Sequence, residues 1–285
     1  MAVDIASMTA LLPAAVEHRL HTYRTLLGEA PAVPMIGLYL VGSLALCDFH
    51  DGVSDIDVVA LLPQPPEPEA IARLRQIHAV LAQQAGGPSV DGLYLCPEHL
   101  RSPPAVPAIV PYSLDGVLVA DRPCQEFGPV TWRCLARNGL TVSGPPPSAL
   151  GIADDPDLLR ASQIKNLDTY WTARIARCEA DLAAKPAGTD ANALALAWGV
   201  LGVCRIACTL ETGRIVSKSQ PGIWARTRME PVWHPVIRDA LSARTGAVTR
   251  LPLDRIGPGL ALMRLVIAEA RGYQALDPAS PAGHP

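Results

Sequence analysis

The stretch from Leu38 to Leu62 reads LYLVGSLALCDFHDGVSDIDVVALL, and its interpretation decides the fold. Leu38 to Val41 is an apolar run with the length and composition of a short buried strand. It stops at Gly42-Ser43, an apolar segment of helical character follows from Leu44 to Phe49, and Asp51-Gly52 signals a turn. Ser54 to Leu62 then reads as a second strand that opens with two carboxylates. Side chains alternate faces along a strand, so Asp55 and Asp57 point one way while Ile56 and Val58 point the other way, into the core. Two neighbouring carboxylates repel each other unless positive charge lies between them, and a divalent cation with oxygen ligands is the usual reason for building such a pair. Gly42 lets the backbone approach a ligand closely. Ser43, at the start of the helical segment, offers an amide and a hydroxyl to a phosphate oxygen.

Asp-x-Asp alone is a weak signal, and the chain holds its own control. Asp155-Pro156-Asp157 has the same spacing, but its proline marks a helix start and capping accounts for it. The pair at 55 and 57 differs because it opens a β-rich run and follows strand, Gly-Ser and helix in order. This arrangement resembles the nucleotidyltransferase superfamily of the polymerase-β type, whose signature is Gly-Ser, a short spacer and Asp-x-Asp on the next strand. The resemblance implies that Asp55 and Asp57 hold Mg²⁺ and that Gly42 and Ser43 hold the phosphates of a nucleotide. It also implies a third carboxylate on a neighbouring strand.

The rest of the chain is organised around that motif. Ala6 to Leu27 carries apolar residues at helical spacing and reads as an amphipathic helix covering the sheet. Pro63 to Pro68 is a loop, and Glu69 to Ala85 is a second amphipathic helix, ended by Gly86-Gly87-Pro88. Ser89 to Leu95 reads as a third strand. Asp91 is the acid available on it for the third carboxylate, as metal ligand, general base or both; the plainer reading is a strand-end turn at Asp91-Gly92. Cys96 to Pro111 is loop-rich, Leu114 to Ala120 fits an edge strand, and Gly128 to Asn138 fits a helix capped by Gly139. The proline run Pro145-Pro146-Pro147 marks the expected domain boundary. Beyond Asp155 the strand signal vanishes. Asp157 to Asp181 reads as one long helix. Ala191 to Leu210 is apolar nearly all round and is expected to be a central helix. Ile223 to Thr227, Pro235 to Thr245 and Leu253 to Gln274 supply further helices.

The expected architecture is therefore α+β: a nucleotidyltransferase-type mixed sheet with flanking helices over 1–147, an all-helical domain over 148–275, a cleft between them, and a disordered tail over 276–285. Within the superfamily the second half is most similar to aminoglycoside adenylyltransferases of the streptomycin/spectinomycin kind. Three landmarks carry the likeness: Gly144-Pro145, the run from Val203 to Lys218, and Trp224-Ala225 with Trp233 to Ile237. The resemblance implies that Arg205 and Lys218 reach the nucleotide triphosphate. Arg205 sits on an otherwise apolar helix, so its charge needs a partner, either this one or an internal salt bridge. Lys218 is one of only three lysines, with Lys165 and Lys185, and is read either as a phosphate ligand or as a solvated loop residue. Two departures stand out. The third carboxylate is usually Glu, and the family's acceptor-gripping acids have no counterpart, since Ala191, Ala195 and Trp198 occupy their places. Asp168 and Asp190 are the nearest alternatives for an acceptor.

Bulk properties agree with this reading. The chain has 285 residues, 49% hydrophobic and 18% charged, with a formal charge of −3 and a pI of about 6.2. That balance excludes broad nucleic-acid binding, which needs a basic face, and suits a small cationic acceptor. No apolar run is expected to span a membrane, and Met1 to Ala10 lacks the pattern of a signal peptide. Seven cysteines without a C-x-x-C pair fit a reducing cytoplasm, with Cys204 and Cys208 lining a helix core. A monomer or small homo-oligomer is expected. The function implied is Mg²⁺-dependent transfer of AMP from ATP to a hydroxyl of a small acceptor such as an aminoglycoside. The alternatives are a different acceptor, or a nucleotide-binding regulatory module whose catalysis has lapsed.

Overall fold

The computed structural model describes residues 12–84, 86–186 and 189–273. The chain divides into two compact units, Met1–Asp155 and Pro156–Pro285. Pro145 to Pro147, expected to mark the boundary, thus lies inside the first unit. The chain there goes on through a 3₁₀ turn, Pro147–Ala149, and Asp154 is tied back to Arg133 and Arg137 at 2.7 and 2.9 Å.

In the first unit, helix α1 spans Ala14–Gly28, strand β1 Gly37–Leu40 and the single turn α2 Gly42–Ala45. Strand β2 runs over Ile56–Leu61, helix α3 over Pro68–Gln83 and strand β3 over Val90–Leu95. A short α4, Pro97–Arg101, precedes strands β4, Tyr112–Leu114, and β5, Val117–Val119. Helix α5, Pro129–Asn138, and strand β6, Leu140–Ser143, complete the unit. The strand order is β5-β4-β3-β2-β1-β6. Only β2 and β3 are parallel, and the others pair antiparallel. A parallel pair needs a crossover, and α3 supplies it. The sheet is mixed and flanked by helices, as the α+β reading expects.

Even-numbered positions of β2 (Ile56, Val58, Ala60) share one core with Leu38, Leu40, Val90 and the apolar faces of α1 and α3. Period-two alternation therefore sends Asp57 to the opposite face. Arg19 on α1 is buried and donates to the carbonyls of Leu81 and Gln84 at the end of α3, where a cation suits the exposed carbonyls of a helix terminus. Behind it runs a buried chain of hydroxyls and imidazole. Tyr23 Oη and Tyr94 Oη are 2.6 Å apart, and Tyr94 Oη lies 2.7 Å from His78 Nε2.

One expected element changes form. The edge strand expected over Leu114 to Ala120 is the shorter β5, Val117–Val119, at the edge of the sheet, with Leu114 ending β4 and Asp115-Gly116 turning between them. Asp115 and Gly116 both have positive φ, 50° and 74°, the turn that Asp-Gly favours because it matches the twist of the flanking strands.

The second unit opens with helix α6, Pro156–Asn166. A π-helical turn, Leu167–Trp171, joins it to α7, Thr172–Ala183, so the long helix expected here is interrupted by a wide turn. Strand β7, Asp190–Asn192, precedes helix α8, Ala193–Thr212, which is capped by the Asn192 side chain at its start and by left-handed Gly213 at its end. Helices α9, Gln220–Arg228, and α10, His234–Arg244, follow, then strand β8, Arg250–Pro252, and helix α11, Ile256–Ala270. The unit is not wholly helical, because β7 and β8 form a two-stranded antiparallel ladder; three-residue strands leave almost no periodic trace in a sequence.

The central helix departs from expectation in one respect. α8 is long and apolar enough to cross a membrane, with a mean hydropathy of 1.9, yet 72% of that stretch is buried within the fold. It is the core of its unit, packed among α10, α11 and α7. Cys204 and Cys208 lie in that core as free thiols, and burial pushes the Cys204 thiol up to about 12. The expected tail, 276–285, and the first residues of the amino-terminal helix lie outside the described residues.

Burial holds the His78 imidazole down, to about 4, so the folded protein keeps it neutral while the unfolded chain titrates it near 6.5. The unfolded state therefore binds the extra proton between those values, and stability must fall as pH drops through that window. Denaturant unfolding of wild type against His78→Gln should show the wild type losing on the order of 3 kcal/mol more than the variant between pH 7 and pH 4. Equal pH slopes for the two proteins would contradict a neutral buried His78.

Candidate active site

The end of β1, the turn α2 and the start of β2 bring the predicted residues of the first unit together. Val41 N–H donates to the carbonyl of Asp57 at 3.0 Å, which fixes Gly42 beside Asp57 across the two strands. Gly42 has φ +57°, and a Cβ built on it would lie 1.8 Å from Asp57 Oδ2. The carboxylate thus rests against the bare α-carbon. Glycine serves two needs here, a left-handed backbone and the absence of a side chain. Next to it, Ser43 Oγ is enclosed and has no hydrogen-bond partner among the described residues. Buried hydroxyls are rarely left so. α2 is only four residues long, shorter than the helical segment expected, so the free hydroxyl and the glycine backbone, rather than a helix dipole, are what this turn offers an incoming oxygen.

Asp57 and Asp91 are directly paired across parallel β2 and β3, so their side chains leave the sheet on the same face. Asp55, one residue before β2, is close enough for its charge to act on Asp91. The Asp91 carboxyl is pushed up, first by burial and then by the charges of Asp55 and Asp115, against the lowering effect of two backbone hydrogen bonds. Those bonds define what Asp91 does in this fold. It is only 6% exposed, and its two oxygens accept from Asp115 N–H at 3.0 Å and Gly116 N–H at 3.2 Å. The tip of the β4–β5 hairpin sits on this carboxylate. Ser113 locks the same corner, accepting from Gly92 N–H and donating to the Val90 carbonyl, both at 3.0 Å.

Among the described residues no group of three His, Cys, Asp or Glu side chains is placed to hold a metal ion. Both Asp91 oxygens accept from the hairpin amides. What remains fits one class of ion. Mg²⁺ is commonly held by one or two carboxylates, with substrate phosphates and water filling the other positions. Asp55 and Asp57, beside the Gly42 backbone and the Ser43 hydroxyl, suit that arrangement and do not suit an all-protein cage. The hairpin amides of Asp115 and Gly116 are the part of the site that the sequence reading missed, and the Asp-Gly dipeptide was the signal for them.

The predicted residues of the second unit are placed as follows. Arg205 is half-buried on α8 and Lys218 is exposed in the loop between α8 and α9; each has a polar or electrostatic partner. Asp168 is bound by Arg271, with contacts at 2.9 and 2.7 Å. Asp190 faces Arg250 at 3.7 Å. The two acids proposed for an acceptor are each already matched by an arginine and belong to different corners of the unit.

Residues 172–255 match the family model described as "Aminoglycoside adenylyltransferase, C-terminal domain". No curated protein matches the chain by sequence. Among solved structures, the chain is similar to spectinomycin adenyltransferase AAD(9) from Enterococcus faecialis, determined with ATP and spectinomycin. The TM-score is 0.65 at 12% identity, over 90% of this chain and 99% of that one. At this identity the structural likeness speaks for the fold. The domain match covers under a third of the chain, within the second unit, and the structural likeness shows a shared fold. The matched stretch forms most of the second unit.

Gly42→Ala tests the closest contact of the site. The substitution adds a methyl into the Asp57 carboxylate at a left-handed position and should cost roughly 1–3 kcal/mol of stability. Thermal denaturation should show the loss, and nucleotide binding should weaken with it. An unchanged melting midpoint would mean that Asp57 does not rest on Gly42.

Proposed function

We propose that this protein transfers AMP from Mg-ATP to a hydroxyl of a small acceptor, and that the acceptor is an aminoglycoside or a compound related to one. The observation that carries the reading is the contact between Gly42 and Asp57, because it puts a carboxylate beside a left-handed glycine turn and the Ser43 hydroxyl. The domain match supports the acceptor class, and the fold shared with a protein solved with ATP supports the donor.

Each residue has a role in this reading. Asp55 and Asp57 would hold Mg²⁺, which when bound neutralises phosphate charge and braces in-line displacement at the α-phosphorus. The Gly42 backbone and the Ser43 hydroxyl receive oxygens of the β- and γ-phosphates. Asp91 has its carboxyl raised by burial and lies on the same sheet face as Asp57. A carboxylate of raised basicity is a better acceptor for the proton of an attacking hydroxyl. The hairpin holds Asp91 by both oxygens, so it acts from a fixed position. Arg205 and Lys218 add positive charge to the triphosphate and favour departure of pyrophosphate. Because both already have partners, that role involves exchanging one set of contacts for another on nucleotide binding.

Asp57→Asn separates this reading from a nucleotide-binding module without catalysis. The change keeps the shape of the side chain and removes its charge. AMP transfer and pyrophosphate release should fall by at least about a thousandfold, as expected for loss of a metal-holding carboxylate, while the melting midpoint stays near that of wild type. Wild-type protein that binds ATP but releases no pyrophosphate with any acceptor would overturn the proposal in favour of the regulatory module.

A further inference from the structure

The loop between the turn α2 and strand β2 contains an aspartate–histidine pair that the nucleotide site does not account for. Asp48 Oδ1 and His50 Nε2 are 3.2 Å apart, and their side chains are only 9% and 29% exposed. Facing a carboxylate, Nε2 is the ring nitrogen that carries a hydrogen and donates it. Each partner is tied through its backbone to one half of the site. On one side, left-handed Cys47, with φ 54°, turns the chain back, and Asp48 N–H donates to the carbonyl of Ser43 at 2.9 Å. On the other side, His50 N–H donates to Ser54 Oγ at 3.0 Å. The His50 carbonyl accepts from Val53 N–H at 3.1 Å and from Ser54 N–H at 2.8 Å. Ser54 is buried and immediately precedes Asp55.

The bonds follow one path from Ser43 through Asp48 and His50 to Ser54. The side-chain contact in its middle joins two corners that are otherwise held by backbone, the Ser43 turn and the turn from His50 to Ser54. No helix or strand lies between Ala45 and Ile56, and Asp51 and Gly52 at the tip of the loop are exposed. A loop of this kind is ordered by its ligand, at an entropic cost, unless contacts order it beforehand. A hydrogen bond to a carboxylate, partly shielded from water, is among the stronger contacts for that task. Partners that orient a cation's ligands without touching the cation commonly govern how well it is held.

We propose that Asp48 and His50 are positioning residues, whose contact sets the Gly42-Ser43 turn and Asp55 at the separation that lets one nucleotide and its cation meet both. The inference rests on the reading above in taking Asp55 as a cation ligand and the turn as a phosphate contact; it does not require AMP transfer. It has a specific consequence. Loss of the pair lowers what Mg²⁺ adds to nucleotide affinity, and leaves the affinity for metal-free nucleotide in place. In turnover the loss falls on the KM for Mg-ATP before it falls on kcat.

Calorimetric titration of the full chain with ATP, once in Mg²⁺ and once in EDTA, reads that difference. His50→Ala should weaken ATP binding by about tenfold or more in Mg²⁺ and leave it nearly unchanged in EDTA. His50→Gln, whose amide nitrogen takes the place of Nε2, should restore most of the loss. Asp48→Ala should match His50→Ala, and the double variant should bind no more weakly than either, because both changes remove one contact. Should His50→Ala fail to fold, His50→Phe, which fills the same space without a donor, carries the same comparison. The proposal is overturned if the variants bind like wild type in Mg²⁺, if affinity falls equally with and without Mg²⁺, if His50→Gln gives no rescue, if the double variant adds the two losses, or if wild type gains nothing from Mg²⁺. The expected pattern of binding in a protein that releases no pyrophosphate with any acceptor would sink the transferase reading and leave the positioning role standing.

Discussion

The structure of the first unit depends on one contact, the Asp57 carboxylate lying on the α-carbon of Gly42. Everything around it exists to allow that approach. Antiparallel pairing of β1 with β2 brings the end of one strand against the start of the other. The left-handed turn at Gly42 then carries the chain away before a side chain would collide. A carboxylate so placed is half-exposed and next to an unpartnered hydroxyl, Ser43 Oγ. A packed protein interior normally fills or pairs such features. Among the described residues the Ser43 hydroxyl is left without a partner beside that carboxylate.

The acids of the sheet divide their tasks by environment rather than by sequence position. Asp57 and Asp91 are register partners on adjacent strands, and a reading from spacing alone treats them as equivalents. The hairpin makes them different. By donating two backbone amides to Asp91 it fixes that carboxylate and buries it, while burial itself pushes the carboxyl up. A carboxylate that is rigid, buried and more basic than usual is better suited to taking a proton than to sharing a cation. Asp55 and Asp57 are nearer solvent. The departure from Glu at this position fits the same geometry, since the shorter side chain is the one whose oxygens meet the hairpin tip.

The second unit solves a different problem. Its central helix α8 is apolar on nearly every side and is stabilised by being surrounded. Such a helix has little room for polar function. Arg205 is half-buried on it, and Trp198 projects from its first half into solvent. α8 lacks cover at the wall shared with α7, where Trp198 is 43% exposed. There the widened turn before α7 supplies two aromatic residues and Arg174 supplies a cation.

The sequence by itself determined the order of strands and helices around Gly42-Ser43 and Asp55-Ile56-Asp57, the division into a mixed-sheet half and a helical half, and the residues of the helical half that its family match spans. Those features are local or periodic: alternation in strands, 3.6-residue spacing in helices, and turn chemistry at Gly, Pro and Asp. Tertiary structure alone decided which carboxylates are shared and which are claimed. Asp91 was claimed by the amides of Asp115 and Gly116, and Asp168 by Arg271. It also decided that α8 is a covered core helix rather than a membrane span, that two three-residue strands pair across the helical unit, and that Tyr170, Trp171 and Trp198 meet. Each of these depends on partners distant in sequence, and a side chain's partner is fixed by where the fold leaves room, which no local pattern encodes.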